Sequence, residues 1–305
     1  MAKKIILGTR GSDLARAQTR LVQEAIQVAC PDSRIETKVI TTQGDEPRLL
    51  DRQAGRKGIF TAEIERALLA DDIDIAVHSA KDLPSEMNAA AEIAAVLPRT
   101  AVDDVLVSKH PGGFASLPPA AIIATGSVRR KHQLLWKRAD FKVVDLRGNV
   151  PTRLRKLANN DWDAIVLAHA GLKRLGLAPT DAKISFEEML FFAGILPGDV
   201  FLPAGGQGII ALQTRASDPD MKAIAGIAND PGTLLCLRAE REFLRLLNGD
   251  CNCPVGVLAA VDNQKMKLRA QLFSDQSPVP REAEVEGAQD EGERLASRLL
   301  KALQV

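Results

Sequence analysis

Asp72-Ile73-Asp74-Ile75-Ala76-Val77-His78-Ser79-Ala80-Lys81-Asp82-Leu83-Pro84 is the stretch from which the fold can be read. Ile73, Ile75, Ala76 and Val77 predict a short buried strand. The run then turns polar at once, with His78, Ser79, Lys81 and Asp82 inside five residues, and Pro84 stops it. In open α/β sheets ligands bind beyond the carboxyl ends of the strands. A basic, a hydroxylic and an acidic side chain together at such an end make a site candidate. The competing reading is a strand-end loop whose charges face water, so the rest of the chain must decide.

Composition limits the choices. A chain of 305 residues can bury more than one core, and two or three domains are expected. Forty basic and 39 acidic residues nearly cancel, so bulk charge favours neither DNA nor an anionic membrane as partner. The aromatic content of 4%, with no tyrosine, also argues against base-stacking platforms. No apolar run is long enough to span a bilayer. Ile5-Ile6-Leu7 is too short for a secretory core and is followed by Arg10, Ser12 and Asp13, which predicts a first strand and a cytoplasmic protein. Four cysteines do not make a disulfide framework at this length, so reduced thiols are expected.

Working outward, strands alternate with helices. Lys4 to Thr9 reads as a strand, and Ser12 or Asp13 can cap a helix with Leu14, Ala17, Leu21, Val22, Ala25, Ile26 and Ala29 on its apolar face. Ile35 to Thr41 is the next strand. The Gly- and charge-rich Thr42 to Gly58 is long for a structureless loop and reads as mobile or functional. Phe60, Ile64, Ala67 and Leu68 mark a helix, and Glu92 to Leu97 a strand. A second α/β unit begins after Pro98 to Asp104. Its strands are Asp104 to Ser108, Ile122 to Ala124, Phe141 to Leu146 and Asp163 to Ala168. Ser127 caps one of its helices, and Asn149 with Pro151 opens another. Gly171 to Gly176 is a short helical segment. Ala178 to Asp199 is poorly determined, with room for a short helix bearing Phe191 and Phe192. Ile209 to Gln213 is a strand. The pattern then stops alternating. Helices at Met221 to Ile227 and Leu234 to Leu247, a hairpin of Val255 to Val261 with Lys265 to Phe273, and a closing helix at Gln289 to Leu303 predict an α+β domain from about Ser217.

Gly8-Thr-Arg-Gly-Ser12 and Thr125-Gly-Ser-Val-Arg129 echo each other, each following a strand and opening a helix. They suggest two similar lobes whose helix N-termini face a shared cleft, a place where anions settle. Arginine is the strongest chemical signal. Arg10, Arg129, Arg130, Arg147, Arg153 and Arg155 lie at strand-to-helix junctions, with Arg174 near another. The guanidinium fork matches carboxylate or phosphate, so these residues point to a polyanionic ligand. Ordinary surface ion pairs are the alternative, and the better reading of Arg16, Arg20, Arg138 and Arg155. No phosphate-loop or dinucleotide fingerprint is present.

A second signal is Asn248-Gly-Asp-Cys-Asn-Cys-Pro-Val-Gly256. The four histidines at 78, 110, 132 and 169 are too scattered to complete a metal site with this Cys-x-Cys, so no metal is expected. A turn-rich setting favours a reactive or modified thiol there, whereas Cys30 and Cys236 read as buried structural thiols.

Seven motifs in order, from residue 5 to about 258, resemble one family. They are Gly8-Thr-Arg-x-Ser12, His78-Ser-Ala-Lys-Asp-Leu-Pro84, Thr125-Gly-Ser-Val-Arg-Arg130, Leu146-Arg-Gly-Asn149, Ala170-Gly-Leu-Lys-Arg-Leu-Gly176, Leu202-Pro-Ala-Gly-Gly-Gln-Gly208 and Gly249-Asp-Cys-x-x-Pro254. Together they resemble the porphobilinogen deaminases, or hydroxymethylbilane synthases. The resemblance implies two periplasmic-binding-protein-like lobes of type II plus a C-terminal α+β domain with a small antiparallel sheet. The expected domains are 1–99 with 201–216, 100–200, and 217–305. It also implies a transferase of haem and porphyrin biosynthesis, a cytoplasmic monomer that binds no nucleic acid or membrane. Its cofactor would be a dipyrromethane joined to Cys251 by a thioether. Four porphobilinogen molecules would be added head to tail, each losing ammonia, and water would release the linear tetrapyrrole 1-hydroxymethylbilane.

The chemistry suits the residues. Loss of ammonia leaves a cationic azafulvene-like species, which the terminal pyrrole of the growing oligopyrrole attacks. A carboxylate can hold the pyrrole N–H groups, stabilise the cation and move protons. By resemblance that residue is Asp82. The acetate and propionate on every ring explain the cations. The resemblance assigns Lys81, Asp82, Thr125, Ser127, Arg129, Arg130, Arg147 and Gly148 to the cofactor. It assigns Arg10, Ser12, Lys57, Arg147, Arg153, Arg174 and Gln207 to the substrate.

This chain also departs from the family pattern. Gln53 stands where members often carry a basic residue, and Arg56 is a candidate replacement. Cys253 is an additional thiol beside Cys251. The segment 178–200 is longer than bacterial members lead one to expect. A solute receptor or a transcriptional sensor built on the same two lobes would leave Cys251 and the third domain without a purpose.

Overall fold

The first strand, β1 (Lys4–Arg10), is buried along most of its length and ends on the polar residues Thr9 and Arg10. The computed structural model describes residues 4–41, 61–248, 253–274 and 276–303. After β1 come α1 (Asp13–Ala29), β2 (Arg34–Ile40), α2 (Ala62–Leu69), β3 (Ile75–Ser79) and β4 (Ala91–Val96). Next are β5 (Asp104–Ser108), β6 (Ile122–Ala124), α3 (Val128–Lys137), β7 (Lys142–Val144), α4 (Val150–Asn159), β8 (Ala164–Ala168) and α5 (His169–Arg174). The chain continues through β9 (Lys183–Phe186), β10 (Met189–Ile195), β11 (Ile210–Arg215), α6 (Pro219–Ile227) and α7 (Pro231–Leu246). It closes with β12 (Val255–Asp262), β13 (Lys265–Ser274), β14 (Ser277–Ala288) and α8 (Gly292–Ala302).

Two sheets repeat one plan. The first runs β2-β1-β3-β11-β4, with β1 parallel to β2 and β3, and β11 antiparallel to β3 and β4. The second runs β7-β6-β8-β5-β10-β9, with β6 parallel to β7 and β8, and β5 antiparallel to β8 and β10. In each, the fourth strand comes from the crossover between the lobes. This is the strand order of the type II periplasmic-binding-protein lobe, as expected. The helices form because their caps and apolar stripes agree. Ser12, Ser127 and Asn149 each accept the backbone N–H three residues on, so every one of these helices opens with a donor satisfied. Helix α1 buries Val22 and Ile26 against Ile5, Leu7 and Leu212, whereas Leu21, expected on its apolar face, is 41% exposed. The buried face turns toward Gln18 and Thr19 instead, for reasons of the site.

The third sheet, β12-β13-β14, is antiparallel, and α7 and α8 cover it through Ala239, Phe243, Leu295 and Leu299. Strand β14 went unread in the sequence because it is largely exposed, with two prolines and four charged residues breaking any apolar alternation. It is an edge strand, and Glu284 and Glu286 pair across to Lys267 and Lys265.

One other expectation is corrected. The segment 178–199 carries no helix but the hairpin β9–β10, which extends the second sheet past β5. Its burial alternates, with Phe191 and Ala193 inward and Leu190 57% exposed, a period of two that cannot build a helical stripe. Helix α6, read from sequence as the start of the third domain, packs Met221 and Ala225 into the core of the first sheet. Among the described residues, no helix is long and apolar enough to cross a membrane.

Candidate active site

The ends of the parallel strands put the expected residues on facing edges of two lobes. Strand β3 runs on through His78 and Ser79, then turns through one 3-10 turn, Ala80–Asp82. That turn is held from three sides. Ala80 N–H donates to the Ile209 carbonyl at 3.0 Å. The Ser79 hydroxyl and the Gln18 amide exchange hydrogen bonds at 2.8 and 3.1 Å, which is why α1 turns Gln18 inward. Gly206, at φ 74°, lies so close that a Cβ there would come within 3.0 Å of Ala80 C and Lys81 N, so only glycine lets the 203–208 loop support the turn.

His78 is a structural residue. It is 4% exposed and its Nε2 is 3.0 Å from Gln213 Oε1. Burial holds its pKa down at about 4, so it stays neutral at working pH.

Lys81 and Asp82 face a cationic field. Burial, then Arg130, lower the Lys81 pKa to about 8, against the opposing pull of Asp82 and Asp104. Arg153 behaves alike. Burial first, then Arg130, bring its pKa down to about 10, although Asp82 and Asp145 oppose this. Lys81, Asp82, Arg129, Arg130, Arg147 and Arg153 therefore belong to one electrostatic cluster spanning both lobes. Arg147 is exposed, with Nε donating to Asp145 at 3.0 Å, and Arg153 Nε donates to the Gly148 carbonyl at 2.7 Å. Ser12 and Ser127 use their hydroxyls as helix caps, and Thr125 Oγ1 accepts from Ser127 N–H at 3.2 Å. Arg10 closes β1 near enough to His78 to oppose its protonation.

Arg129 and Arg130 sit deeper than a simple cleft-lining role requires. Both are buried against Asp104, itself fully buried at the start of β5. Arg129 Nη2 donates to Asp104 at 2.9 Å, and Arg130 donates from Nη2 at 2.6 Å and Nε at 3.1 Å. The two guanidiniums hold the Asp104 carboxyl far below the usual carboxylate range. Arg129 also reaches the Leu202 carbonyl and Gln133, and Arg130 the Val166 carbonyl. Gln207, 1% exposed, joins this group to Lys81. Arg174 stands apart. Its Nη2 donates to the Gly208 carbonyl at 2.7 Å, and it lines a groove with Arg20, Leu21, Leu97 and Thr100. Lys57 and Cys251, with Gln53 and Arg56, lie outside the described residues. Cys253 is half-buried against the core of the third sheet.

Sequence reasoning missed Asp104, Gln18, Arg99 and Glu240. Glu240 is fully buried, accepts from Arg99 Nη1 at 2.6 Å, and also takes the N–H groups of Gly206 and Ala259 at 2.7 Å each. One signal was available: Asp104 is an acid opening the apolar run Val105-Leu-Val107, a costly place for a carboxylate without a cation.

This geometry defines a class: a two-lobed α/β protein with Asp82 on a braced turn among the cations of a cleft suited to anions. Residues 5–223 match the family model described as porphobilinogen deaminase, dipyromethane cofactor binding domain, and residues 234–304 match porphobilinogen deaminase, C-terminal domain. The porphobilinogen deaminase of Syntrophomonas wolfei is 44% identical over 275 residues, covering 89% of this chain and 86% of that protein. That of Roseiflexus castenholzii is 40% identical over 308 residues, covering 99% and 97%. The VFT2 domain of Bordetella pertussis BvgS overlaps 74% of this chain and 86% of its own at 16% identity and a TM-score of 0.41; the lobe fold is assigned from strand order, not from that overlap. The chain belongs to the porphobilinogen deaminase family. It is a transferase of tetrapyrrole synthesis with a dipyrromethane cofactor, condensing porphobilinogen to hydroxymethylbilane.

The residues present suit that cofactor. Two pyrrole rings bring four carboxylates, and the cluster holds more buried positive charge than its own acids offset. Burial first and Arg130 second lower the pKa values of Lys81 and Arg153, and an added anion would offset the second of these effects.

Proposed function

We propose that Asp82 is the catalytic carboxylate of this transferase, with Lys81, Arg10, Arg147 and Arg153 as the contacts for ring carboxylates. The bound dipyrromethane supplies the primer to which substrate rings are joined. Asp82 lies on a turn fixed by Gly206, Ile209 and the Gln18–Ser79 pair, so its carboxylate is held before substrate arrives. It accepts pyrrole N–H hydrogen bonds, offsets positive charge on the incoming ring and passes a proton from the attacking carbon. Lys81 and Arg153 both lie close enough to Asp82 to feel its negative charge.

Arg129 and Arg130 supply charge from behind the contact layer, since Asp104, Leu202 and Val166 engage their nitrogens. Thr125, Ser127 and Gly148 shape the second lobe's edge, and Ser12 that of the first. Arg174, outside the cluster, meets the far end of a lengthened chain, and Gln207 braces Lys81. Cys251 is the point of attachment, which the half-buried packing of Cys253 supports. Lys57 is a further substrate contact. The domains are taken as 1–99 with 201–216, 100–200, and 217–305, with α6 of the last clasping the first sheet. The protein works as a cytoplasmic monomer and binds no nucleic acid. Its balanced charge supports the last of these.

The observation that carries the reading is the single carboxylate on a braced turn inside a cationic cluster shared by both lobes. Asp82→Asn should fold, keep its attached cofactor by intact mass, and lose turnover at least ~100-fold. Turnover within a few-fold of the native enzyme would remove Asp82 from the chemistry.

A further inference from the structure

Gln207 carries an amide whose two ends differ in polarity, and its surroundings decide which end points where. Its Nε2 donates to Asp104 Oδ1 at 2.9 Å and to the Val102 carbonyl at 2.7 Å, with the Asp103 carbonyl at 3.4 Å. All three are acceptors, so the oxygen end must face away from them. It faces Lys81, with Oε1 and Nζ 3.4 Å apart. Asp104 is held in turn by Arg129 and Arg130 from α3.

We propose that Asp104, acting through Gln207, is a positioning residue for Lys81: it fixes the amide so that an acceptor meets the ammonium, and its charge shields that ammonium from Arg129 and Arg130. The proposal rests on the reading of Lys81 as a contact for ring carboxylates. Three charged elements bear on Lys81: Asp82 on its own turn, Arg129 and Arg130 on α3, and Asp104 on β5. The two arginines disfavour the ammonium and the two acids favour it. Removing the charge of Asp104 exposes Lys81 to both arginines. It also frees the Gln207 amide to turn its NH2 toward the ammonium. Both effects push Lys81 toward its neutral form, in which it holds a carboxylate poorly.

The test reads Lys81 directly in the enzyme with its cofactor attached. Trace acetylation with acetic anhydride across a pH series, followed by peptide mass spectrometry, gives the midpoint at which Lys81 becomes nucleophilic. In the bare chain burial and the arginines bring Lys81 down to about 8, and the midpoint of the native enzyme is the reference for the variants. Asp104→Asn should lower it by about 1 pH unit. Gln207→Leu, which removes the acceptor, should lower it too. Gln207→Glu, which replaces the acceptor by a carboxylate, should raise it by about 1 unit. Exposed Lys265 serves as an internal reference and should not move. Asp104→Asn strips the counter-ion from two buried arginines; if it does not fold, the two Gln207 variants decide the matter alone. Opposite shifts in Gln207→Leu and Gln207→Glu support the relay, because loss of packing alone would move both the same way. Midpoints that stay put, or move together, overturn it. The substrate reading is tested separately: a normal KM in Lys81→Met would remove it while leaving the acetylation shifts intact.

Discussion

The pair Arg99–Glu240 invites a perturbation whose size can be worked out. Arg99 lies in the crossover from the first lobe to the second, and Glu240 lies on α7 beneath the third sheet. Glu240 Oε1 accepts from Arg99 Nη1 at 2.6 Å and from Ala259 N–H at 2.7 Å, and Oε2 accepts from Gly206 N–H at 2.7 Å. Arg99 Nε donates to the Gln207 carbonyl at 2.9 Å, and Arg99 N–H to Thr233 Oγ1 at 3.0 Å. One ion pair thus joins the crossover, the 203–208 loop that supports the Ala80–Asp82 turn, and the third domain. Arg99→Met keeps most of the volume but leaves a fully buried carboxylate with two N–H donors and no cation. Breaking a buried pair in this way costs about 3–5 kcal/mol. With about 2.1 cal/mol/K of unfolding entropy per residue over 305 residues, a loss of ~4 kcal/mol lowers the melting temperature by about 6 °C. Scanning calorimetry of the enzyme with its cofactor attached measures this. The double variant Arg99→Met, Glu240→Leu should recover much of the loss, because two apolar groups leave no unpaired charge. A single-variant shift within about 1 °C, or a double variant worse than the single, would refute the view that the pair is what locks these three segments together.

Other outcomes follow from the same geometry. With its pKa at about 8, Lys81 loses its charge as pH rises, so kcat/KM should fall ~15-fold between pH 8 and 9.5. Lys81→Arg should flatten that limb, and an unchanged limb would dissociate it from Lys81. Cys251→Ser should arrive as bare chain by intact mass spectrometry, whereas Cys253→Ser should retain the added mass of two pyrrole units; the reverse would move the anchor. His78 titrates at about 4 when folded and at 6.5 when free. Below pH 6.5 the unfolded chain therefore binds the proton first, and stability falls by up to about 3 kcal/mol as pH drops from 6.5 to 4. His78→Asn should show a shallower fall in melting temperature over that range; an equally steep one would deny His78 this role.

Much of this protein is legible from its residues in order. The alternation of short apolar runs with capped helices marks two α/β units, because periods of 2.0 and 3.6 are local properties of the backbone. Ser12, Ser127 and Asn149 announce their helix starts, since a cap bonds only three residues away. Arginine density at strand ends points to a polyanion before any coordinate is known. What the order of residues does not disclose is pairing over long separations. Phe191 and Phe192 belong to a strand because β5 offers an open edge beside them, and β14 is a strand because β13 supplies lysines opposite its glutamates. Helix α6 lies on the first sheet because Met221 and Ala225 find a core there that its neighbours in sequence do not provide. The turn after β3 shows the division most clearly. Its residue types mark Lys81 and Asp82 as a candidate site. Only the tertiary structure decides that His78 stays neutral and that Arg129 and Arg130 stand behind Asp104. It alone brings Gln207, from 126 residues away, to face the Lys81 ammonium. Burial and charge are properties of the assembled interior, where the dielectric is low and every neighbour counts.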